Sequence, residues 1–311
     1  MLQADGIENF KRSVSQNYFN WLVSSRKDPQ FKRVLKSWRQ FPSIWPFLTR
    51  IEKEVKLRLT LNREPIVLSA GKRQRYRLFV SLLWEMMLRS DKAGLAKLVS
   101  EPEIGNPIRI RRNGELISQD MANSILECNI LNNLLAEQQT PPKVAEIGAG
   151  SGRLAHVYAA TQRGTYHIFD IPPALHISQW YLTKVLPDKK IFTFRRFEDF
   201  ESIREELESA DIAFFSANQI RKFPAEYFDA IVTICTLPEL APEQAKLYLS
   251  LFQKLARKFI FIKQWKDWHN PLDGTYIAPD DYILDDAWEV IMNSEDPVVP
   301  YFFNRVWRRR A

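Results

Sequence analysis

Lys143-Val144-Ala145-Glu146-Ile147-Gly148-Ala149-Gly150-Ser151-Gly152-Arg153-Leu154 is the stretch that decides the reading of this 311-residue chain. A short apolar run with one acid leads into three glycines at alternate positions, and an amphipathic segment follows. That is the pattern of a strand, a tight turn and a helix, with glycine where the backbone needs positive φ or must be touched by a ligand. A dinucleotide turn of the Gly-x-Gly-x-x-Gly type wants a third glycine where this chain has Arg153. The pattern is Gly-x-Gly-x-Gly instead.

Downstream, short apolar runs alternate with amphipathic stretches, the texture of βαβ units around a parallel sheet. Residues 143–147 read as the first strand, 153–162 as its helix, 165–169 as the second strand and 174–186 as the second helix. Residues 212–216 and 228–235 follow as strands, 243–254 as a helix and 259–264 as a fifth strand. Residues 190–209 exceed this alternation and read as an inserted short strand and helix. Residues 287–292 and 301–307, around Pro297 and Pro300, read as an antiparallel hairpin at a sheet edge. The expected fold class is α/β, a Rossmann-like sheet ending in an antiparallel hairpin.

Upstream the texture is helical. Tyr18, Trp21 and Leu22, then Phe31, Val34, Leu35 and Trp38, recur at helical spacing, and strand patterns are scarce before residue 100. Residues 118–137 form one more helix, ending before Pro141-Pro142, which sets the expected boundary. Residues 1–140 are then a mainly helical substrate or cap domain, and 141–311 the α/β domain. The first 140 residues hold 23 Lys and Arg against 14 Asp and Glu, so the net charge of +7 resides in that half and the remainder is slightly acidic. The densest basic run is Lys72, Arg73, Arg75 and Arg77, with a second at Arg109, Arg111 and Arg112. Such runs suit an anionic partner, or are simply a solvated helix face.

A chain 45% hydrophobic and 26% charged can bury a core. No apolar run approaches the roughly 20 residues of a membrane helix, and Asp5 and Glu8 argue against a signal peptide. With only Cys128 and Cys235, no disulfide framework is possible, and the expected location is a reducing cytoplasm.

Thr165-Tyr166-His167-Ile168-Phe169-Asp170 ends in a carboxylate about 20 residues beyond the glycines, placed to grip two ribose hydroxyls. Nucleotide and methyl-donor sites share that device, so Asp170 alone does not choose between them. Together with Glu146 and the glycine spacing, the stretch resembles motif I of class I S-adenosylmethionine-dependent methyltransferases. In that family the acid faces the aminocarboxypropyl end of S-adenosyl-L-methionine. Residues 170–182, Asp170-Ile171-Pro172-Pro173-Ala174-Leu175-His176-Ile177-Ser178-Gln179-Trp180-Tyr181-Leu182, followed by Val185-Leu186-Pro187, are similar to the putative sugar O-methyltransferase family of bacteria. Ile104-Gly105-Asn106-Pro107 and Ile117-Ser118 upstream, and Leu237-Pro238-Glu239-Leu240 and Phe261-Ile262-Lys263-Gln264 downstream, extend the resemblance over about residues 100–265. At 237–240 the chain departs from the Ser-Phe-Gln-Glu-Met-like run of that family. The resemblance implies methylation of a hydroxyl on a sugar, glycan or nucleotide sugar.

The expected donor-site residues are Glu146, Gly148, Ala149, Gly150, Gly152 and Asp170. Ile171 would pack on the adenine face, and Ser216 and Asn218 would meet its edge unless they serve only the turn. A sugar hydroxyl needs a positioned base, worth about 10²- to 10⁴-fold. Glu239 and His269, beyond the fourth and fifth strands, are the candidates; the plain alternatives are a helix-start charge and a surface histidine. Trp265 and Trp268 offer faces to a sugar ring, Asn270 a hydrogen bond, and Arg73 and Arg75 a clamp for an acceptor phosphate. His156 and His176 read as packed or surface residues. Asp267, Asp273, Asp280 and Asp281 lack a matching set after the fourth strand, so no metal is expected. Two other readings stand beside this one. One is an RNA methyltransferase using the basic half, although the sequence carries no RNA-binding module; the other is a non-catalytic donor-binding protein of the same fold.

Overall fold

The computed structural model describes residues 29–37, 59–61, 64–66, 70–104, 109–270 and 274–310. The chain divides into two compact units, Met1–Ile130 and Leu131–Ala311, the division falling within a helix upstream of Pro141-Pro142.

In the first unit lie helix α1 (Pro29–Ser37), strands β1 (Leu59–Leu61) and β2 (Glu64–Ile66), helix α2 (Ala70–Ser90), strands β3 (Arg109–Arg112) and β4 (Glu115–Ser118), and most of helix α3 (Gln119–Leu135). Val34 of α1 is fully buried, as its spacing predicts, while Tyr18, Trp21 and Leu22 lie outside the described residues. Two short hairpins join these helices, one of three-residue strands before residue 100 and one beyond it. β3 and β4 join through Asn113 and Gly114 at φ 50° and 83°, the left-handed pair that matches strand twist in a two-residue hairpin. The second basic run therefore lies on a strand, not a helix face, and two of its arginines are internally used: Arg112 pairs with Glu85, and Arg111 Nη1 donates to Gly114 O at 2.6 Å. Ser118 caps α3, its Oγ accepting the Met121 N–H at 3.0 Å.

The second unit is an eight-stranded sheet in the order β11-β12-β10-β9-β5-β6-β8-β7. Its strands are β5 (Lys143–Ile147), β6 (Thr165–Asp170), β7 (Ile191–Phe192), β8 (Ile212–Ser216), β9 (Phe228–Ile234), β10 (Ala256–Trp265), β11 (Trp288–Glu295) and β12 (Phe302–Arg309). From β7 to β10 the strands are parallel; β12 runs antiparallel between β10 and β11, closing the sheet with the expected terminal pair. Helices α4 (Arg153–Thr161), α5 (Pro172–Val185), α6 (Arg204–Glu208) and α7 (Pro242–Leu255) complete the α/β fold. The mainly parallel sheet with its antiparallel end is the expected Rossmann-like arrangement.

Side chains alternate along each strand. Ala145 and Ile147 share one face with Phe169, Phe215, Ile231 and Ile260, packed with Leu249 and Phe252 of α7. Glu146 therefore belongs to the opposite face. The inserted segment 190–209 supplies edge strand β7, α6 and the rings of Phe197 and Phe200, which gather around Phe223.

Two helices start earlier than their apolar period suggests. α5 begins at Pro172 and α7 at Pro242, each after an extended residue, Ile171 and Ala241. Proline fits the first helical turn, whose N–H groups have no helical partner anyway. Between β10 and β11 the described residues contain only a short 3₁₀ turn, Pro279–Asp281. Arg305 of β12 fastens it, Nη1 donating to Pro279 O at 2.8 Å, and Tyr282 is buried against Phe303 with ring centroids 6.0 Å apart. Among the described residues, no helix is long and apolar enough to cross a membrane.

Candidate active site

From β5 the chain winds one way to β6 and β8 and the other way to β9 and β10. The strand order reverses at β5, and in open α/β sheets ligands settle beyond the carboxyl ends of the strands at such a point. The glycine turn lies there. Gly148, Gly150 and Gly152 take φ of 78°, 56° and 80°, all left-handed. At Gly148 space forbids a side chain too, since a Cβ would fall 2.0 Å from Thr236 Oγ1. The turn is tied on both sides: Gly148 N–H donates to Phe169 O at 2.9 Å, while Thr236 Oγ1 lies 3.3 Å from Ile147 O and 3.5 Å from Gly148 O. Cys235, at φ 57°, turns the chain out of β9 to deliver Thr236.

Asp170, the last residue of β6, is buried, and its two oxygens each accept one backbone N–H: Oδ2 from Gly150 at 2.8 Å and Oδ1 from Ile171 at 2.7 Å. A carboxylate has about four lone-pair sites, so each oxygen retains one for a further donor. Two adjacent acceptors suit a vicinal diol. Burial pushes the Asp170 carboxyl up to about 6; the two N–H bonds oppose the rise and the charge of Glu239 adds to it. Ile171 is 56% exposed beside it, an apolar surface open to a flat ring. Glu146 is buried and accepts a hydrogen bond from the Tyr166 hydroxyl at 2.9 Å.

Ser216 stands opposite Asp170 in register at the end of β8. Its N–H donates to Gln219 Oε1 at 2.8 Å, and its Oγ lies 2.7 Å from Asn218 Oδ1 and 3.0 Å from Gln219 Oε1. Asn218 is exposed, with its amide oxygen engaged locally. The turn chemistry weighed for these residues is thus present, with the Asn218 amide oxygen engaged by Ser216.

Glu239 ends the 3₁₀ turn Leu237–Glu239 directly after β9, anchored by fully buried Leu237. The residue is exposed over part of its surface, and the burial of the rest raises its carboxyl from its ordinary value. Asn270 is buried and reaches Glu239 from the far side, Nδ2 donating to the Glu239 backbone oxygen at 3.5 Å. The structure therefore gathers Glu146, the three glycines with Ala149, Asp170, Ile171, Ser216, Asn218, Glu239 and Asn270 at the carboxyl ends of β5, β6, β8, β9 and β10.

Other expected residues are engaged elsewhere. His269 is exposed, stacked on Tyr276 at 4.9 Å, with Nδ1 3.7 Å from Asp267 Oδ1. Trp265 has one face covered by Tyr301 at 5.2 Å and meets Phe302 edge-on at 4.4 Å, so that face is closed to a sugar. Trp268 is half-buried. Arg73 and Arg75 belong to α2 in the first unit; Arg75 Nε donates to Gly71 O at 3.2 Å, and the Arg73 side chain lies outside the described residues. His156 is packed against Tyr181, Nδ1 to Oη 3.0 Å, and His176 is exposed. A surface hollow of about 360 Å³ lined by Pro142, Tyr158 and Arg163 lies at the opposite, amino-terminal ends of β5 and β6, away from the turn.

No family model matches the chain, and no curated protein does. Among solved structures it is similar to magnesium protoporphyrin IX methyltransferase from Synechocystis PCC 6803 with bound SAM, at 14% identity over 62% of this chain and 86% of that one, with a TM-score of 0.40. It is also similar to N-methyltransferase NodS from Bradyrhizobium japonicum WM9 in complex with S-adenosyl-L-homocysteine, at 15% identity over 61% of this chain and 88% of that one, TM-score 0.42. A third is 1,6-didemethyltoxoflavin-N1-methyltransferase from Burkholderia thailandensis, at 13% identity over 62% and 80%, TM-score 0.41.

Three residues at the site escape a reading by motif. Thr236 interlocks with Gly148, Gln219 fixes Ser216, and Tyr248 of α7 lies near enough to Asp170 to feel its charge. The one available signal was periodicity, since Tyr248 shares the helical stripe of Ala245, Leu249 and Phe252.

Proposed function

We propose that the chain is an S-adenosylmethionine-dependent methyltransferase acting on a hydroxyl of a sugar, glycan or nucleotide sugar. The observation that carries this reading is the left-handed Gly148-x-Gly150-x-Gly152 turn tied to a buried Asp170 that keeps one lone pair free on each oxygen. The residues fit the donor. Asp170 would hold the ribose diol, Ile171 and Asn218 the adenine, and the turn with Glu146 the aminocarboxypropyl end. When bound, the donor supplies a methyl group on a positive sulfur, already provided with a leaving group.

What remains for the protein is alignment, exclusion of water and management of one proton. Glu239, on the β9 side of the turn, takes the proton of the acceptor hydroxyl onto its carboxylate as the bond forms; its raised carboxyl suits that work better than an ordinary surface acid. Asn270 steadies the backbone from which Glu239 projects. The sugar class rests on the resemblance of residues 100–265, with Trp268 and Asn270 on the loop beyond β10 supporting it.

Incubation with labelled methyl donor and panels of nucleotide sugars and glycan extracts tests the reading, label entering a saccharide being the expected result. At saturating donor, Glu239→Gln lowers turnover by roughly 10²- to 10⁴-fold. Unchanged turnover removes Glu239 as the base; label appearing only in RNA replaces the acceptor.

A further inference from the structure

The hollow lined by Pro142, Tyr158 and Arg163 stands at the other end of β5 from the glycine turn, five residues away at about 3.3 Å each. Its lining runs from Asn132 to Arg163 and falls wholly within the second unit. Its volume, about 360 Å³, is in the range of small-molecule clefts, roughly 300–1,000 Å³. The walls are fixed. Thr165 N–H donates to Pro142 O at 3.0 Å, and Gly164, at φ 128°, comes so near that a Cβ there would fall 2.2 Å from the same oxygen. Pro141 and Pro142 hold their φ through their rings, and the ends of α3 and α4 supply the other sides.

The lining holds no Asp, Glu, His or Cys, so it lacks the side-chain ligands of a metal site. The carboxamides of Asn132, Gln138, Gln139 and Gln162 and the Thr140 hydroxyl line it instead. Among the described residues the Asn132 and Gln139 amides have no protein partner, and both amide atoms of Gln138 are shut off from solvent without one. A buried amide in that state costs free energy until something bonds it, and the last torsion of a glutamine is soft enough to turn it toward an occupant. Because α3 and α4 both end here, the hollow also collects last-turn carbonyls that lack helical donors. The negative dipole ends of those helices offset Arg163, the single charged residue of the lining, which is exposed and forms no ion pair among the described residues. The matching occupant carries groups that both donate and accept, little charge, and an apolar face for Pro141, Pro142 and Leu135. A nucleobase would need an open ring to stack on, whereas the Tyr158 ring is buried against Tyr166, centroids 5.0 Å apart. An extended peptide would need a sheet edge, and β5 is interior. We infer that this hollow is a second ligand site, one that binds a neutral saccharide unit through the amides of Asn132, Gln138 and Gln139. The inference goes beyond the methyl-transfer reading and does not depend on it.

Backbone amide NMR shifts of the full chain, titrated with glucose, N-acetylglucosamine and maltotriose in the absence of methyl donor, test it. Saturable shifts at residues 138–140 and 161–164 with at least one of the three sugars are the expected result. Gln138→Leu should weaken that binding by roughly 5- to 10-fold, the effect of losing one or two neutral hydrogen bonds. Its urea midpoint should stay level or rise, because an unpaired buried amide has been removed. A residue serving only the fold would show the reverse, lost stability with binding unaltered. Ala136→Phe, at an exposed position of the lining, should block the hollow and abolish the shifts in a folded protein. Inorganic phosphate is the charge control: if it alone moves those signals, the ligand is an anion held by Arg163 and the saccharide class is overturned. No shift with any of the sugars, shifts confined to the glycine turn, or undiminished binding in both variants overturns the inference, and the methyl-donor reading is untouched by each of these results.

Discussion

The backbone N–H of Gly150 donates to Oδ2 of Asp170 across 2.8 Å, tying the middle glycine of the turn to the carboxylate that ends the neighbouring strand. The bond fixes the acid's rotamer, so the direction of its remaining lone pairs is set by backbone rather than by other side chains. Asp170→Ala removes two charged acceptors and should weaken donor binding by about 100-fold, at roughly 1.5 kcal/mol for each hydrogen bond to charge. Calorimetry decides the matter, and an affinity equal to wild type would dismiss the ribose role.

The same carboxyl makes binding depend on pH. Burial lifts Asp170 from an ordinary 3.8 to about 6 in the folded protein. The stability contributed by keeping it protonated is full below the unfolded value and is lost as pH rises through about 6. Ribose hydroxyls and a cationic donor both favour the charged form, so donor affinity should climb as pH rises through about 6 and then level off. Asp170→Asn should flatten that profile; a titration curve unchanged in the variant would place the pH dependence elsewhere.

Gly148 cannot become alanine cheaply. The left-handed backbone costs about 1–2 kcal/mol for a residue with a Cβ, and overpacking against Thr236 adds roughly 1–3 kcal/mol. Gly114, equally left-handed at φ 83° but with nothing near its Cβ position, should show only the backbone penalty on Gly114→Ala. Adding Thr236→Ala to Gly148→Ala should return part of the loss. Urea unfolding of the set measures the coupling, and strictly additive losses would argue against the interlock.

His167 is buried among Phe215, Phe223, Tyr227 and Phe228, its Nδ1 donating to Val144 O at 3.1 Å. Burial lowers it from 6.5 to about 3, with the nearby Lys143 charge contributing and the Val144 bond opposing. A histidine kept neutral contributes stability that is present above the unfolded value and is lost as pH falls toward about 3. His167→Phe should therefore make stability decline less steeply below pH 6.5, by about 1.4 kcal/mol per pH unit. Urea midpoints across that range that fall in parallel with wild type would exclude the effect.

Lys263 and Asp296 form a buried ion pair at 2.8 Å, Asp296 also accepting the N–H groups of Val298 and Val299. Lys263→Met should cost about 3–5 kcal/mol, because it leaves a buried carboxylate without its cation. Pairing it with Asp296→Asn, which keeps an acceptor and removes the charge, should recover much of that loss in thermal or urea unfolding.

The glycine turn and the acid tied to it were legible because their signals are local. A strand, three glycines and a helix fall within twelve consecutive residues, and Asp170 closes a single βαβ unit. Features that depend on distant partners were not. Nothing near Trp265 announces that Tyr301 will cover its face, nor does anything near Gly148 point to Thr236. The β3–β4 hairpin is different, for its Asn113-Gly114 signal was present and was obscured by the helical texture around it. Arg111 and Arg112 there resembled a binding patch only while their partners, the Gly114 carbonyl and Glu85, were unseen.

On the proposed reading, the span between β10 and β11, lacking a long helix in its described part and fastened by Arg305 to Pro279, would form one wall of the acceptor side from irregular backbone. A wall of that kind tolerates insertion and exchange far better than a packed helix, since surface loops lose little when lengthened. Descendants of this chain could therefore take up new acceptors by rewriting that span alone, with the nucleoside half of the crevice inherited unaltered.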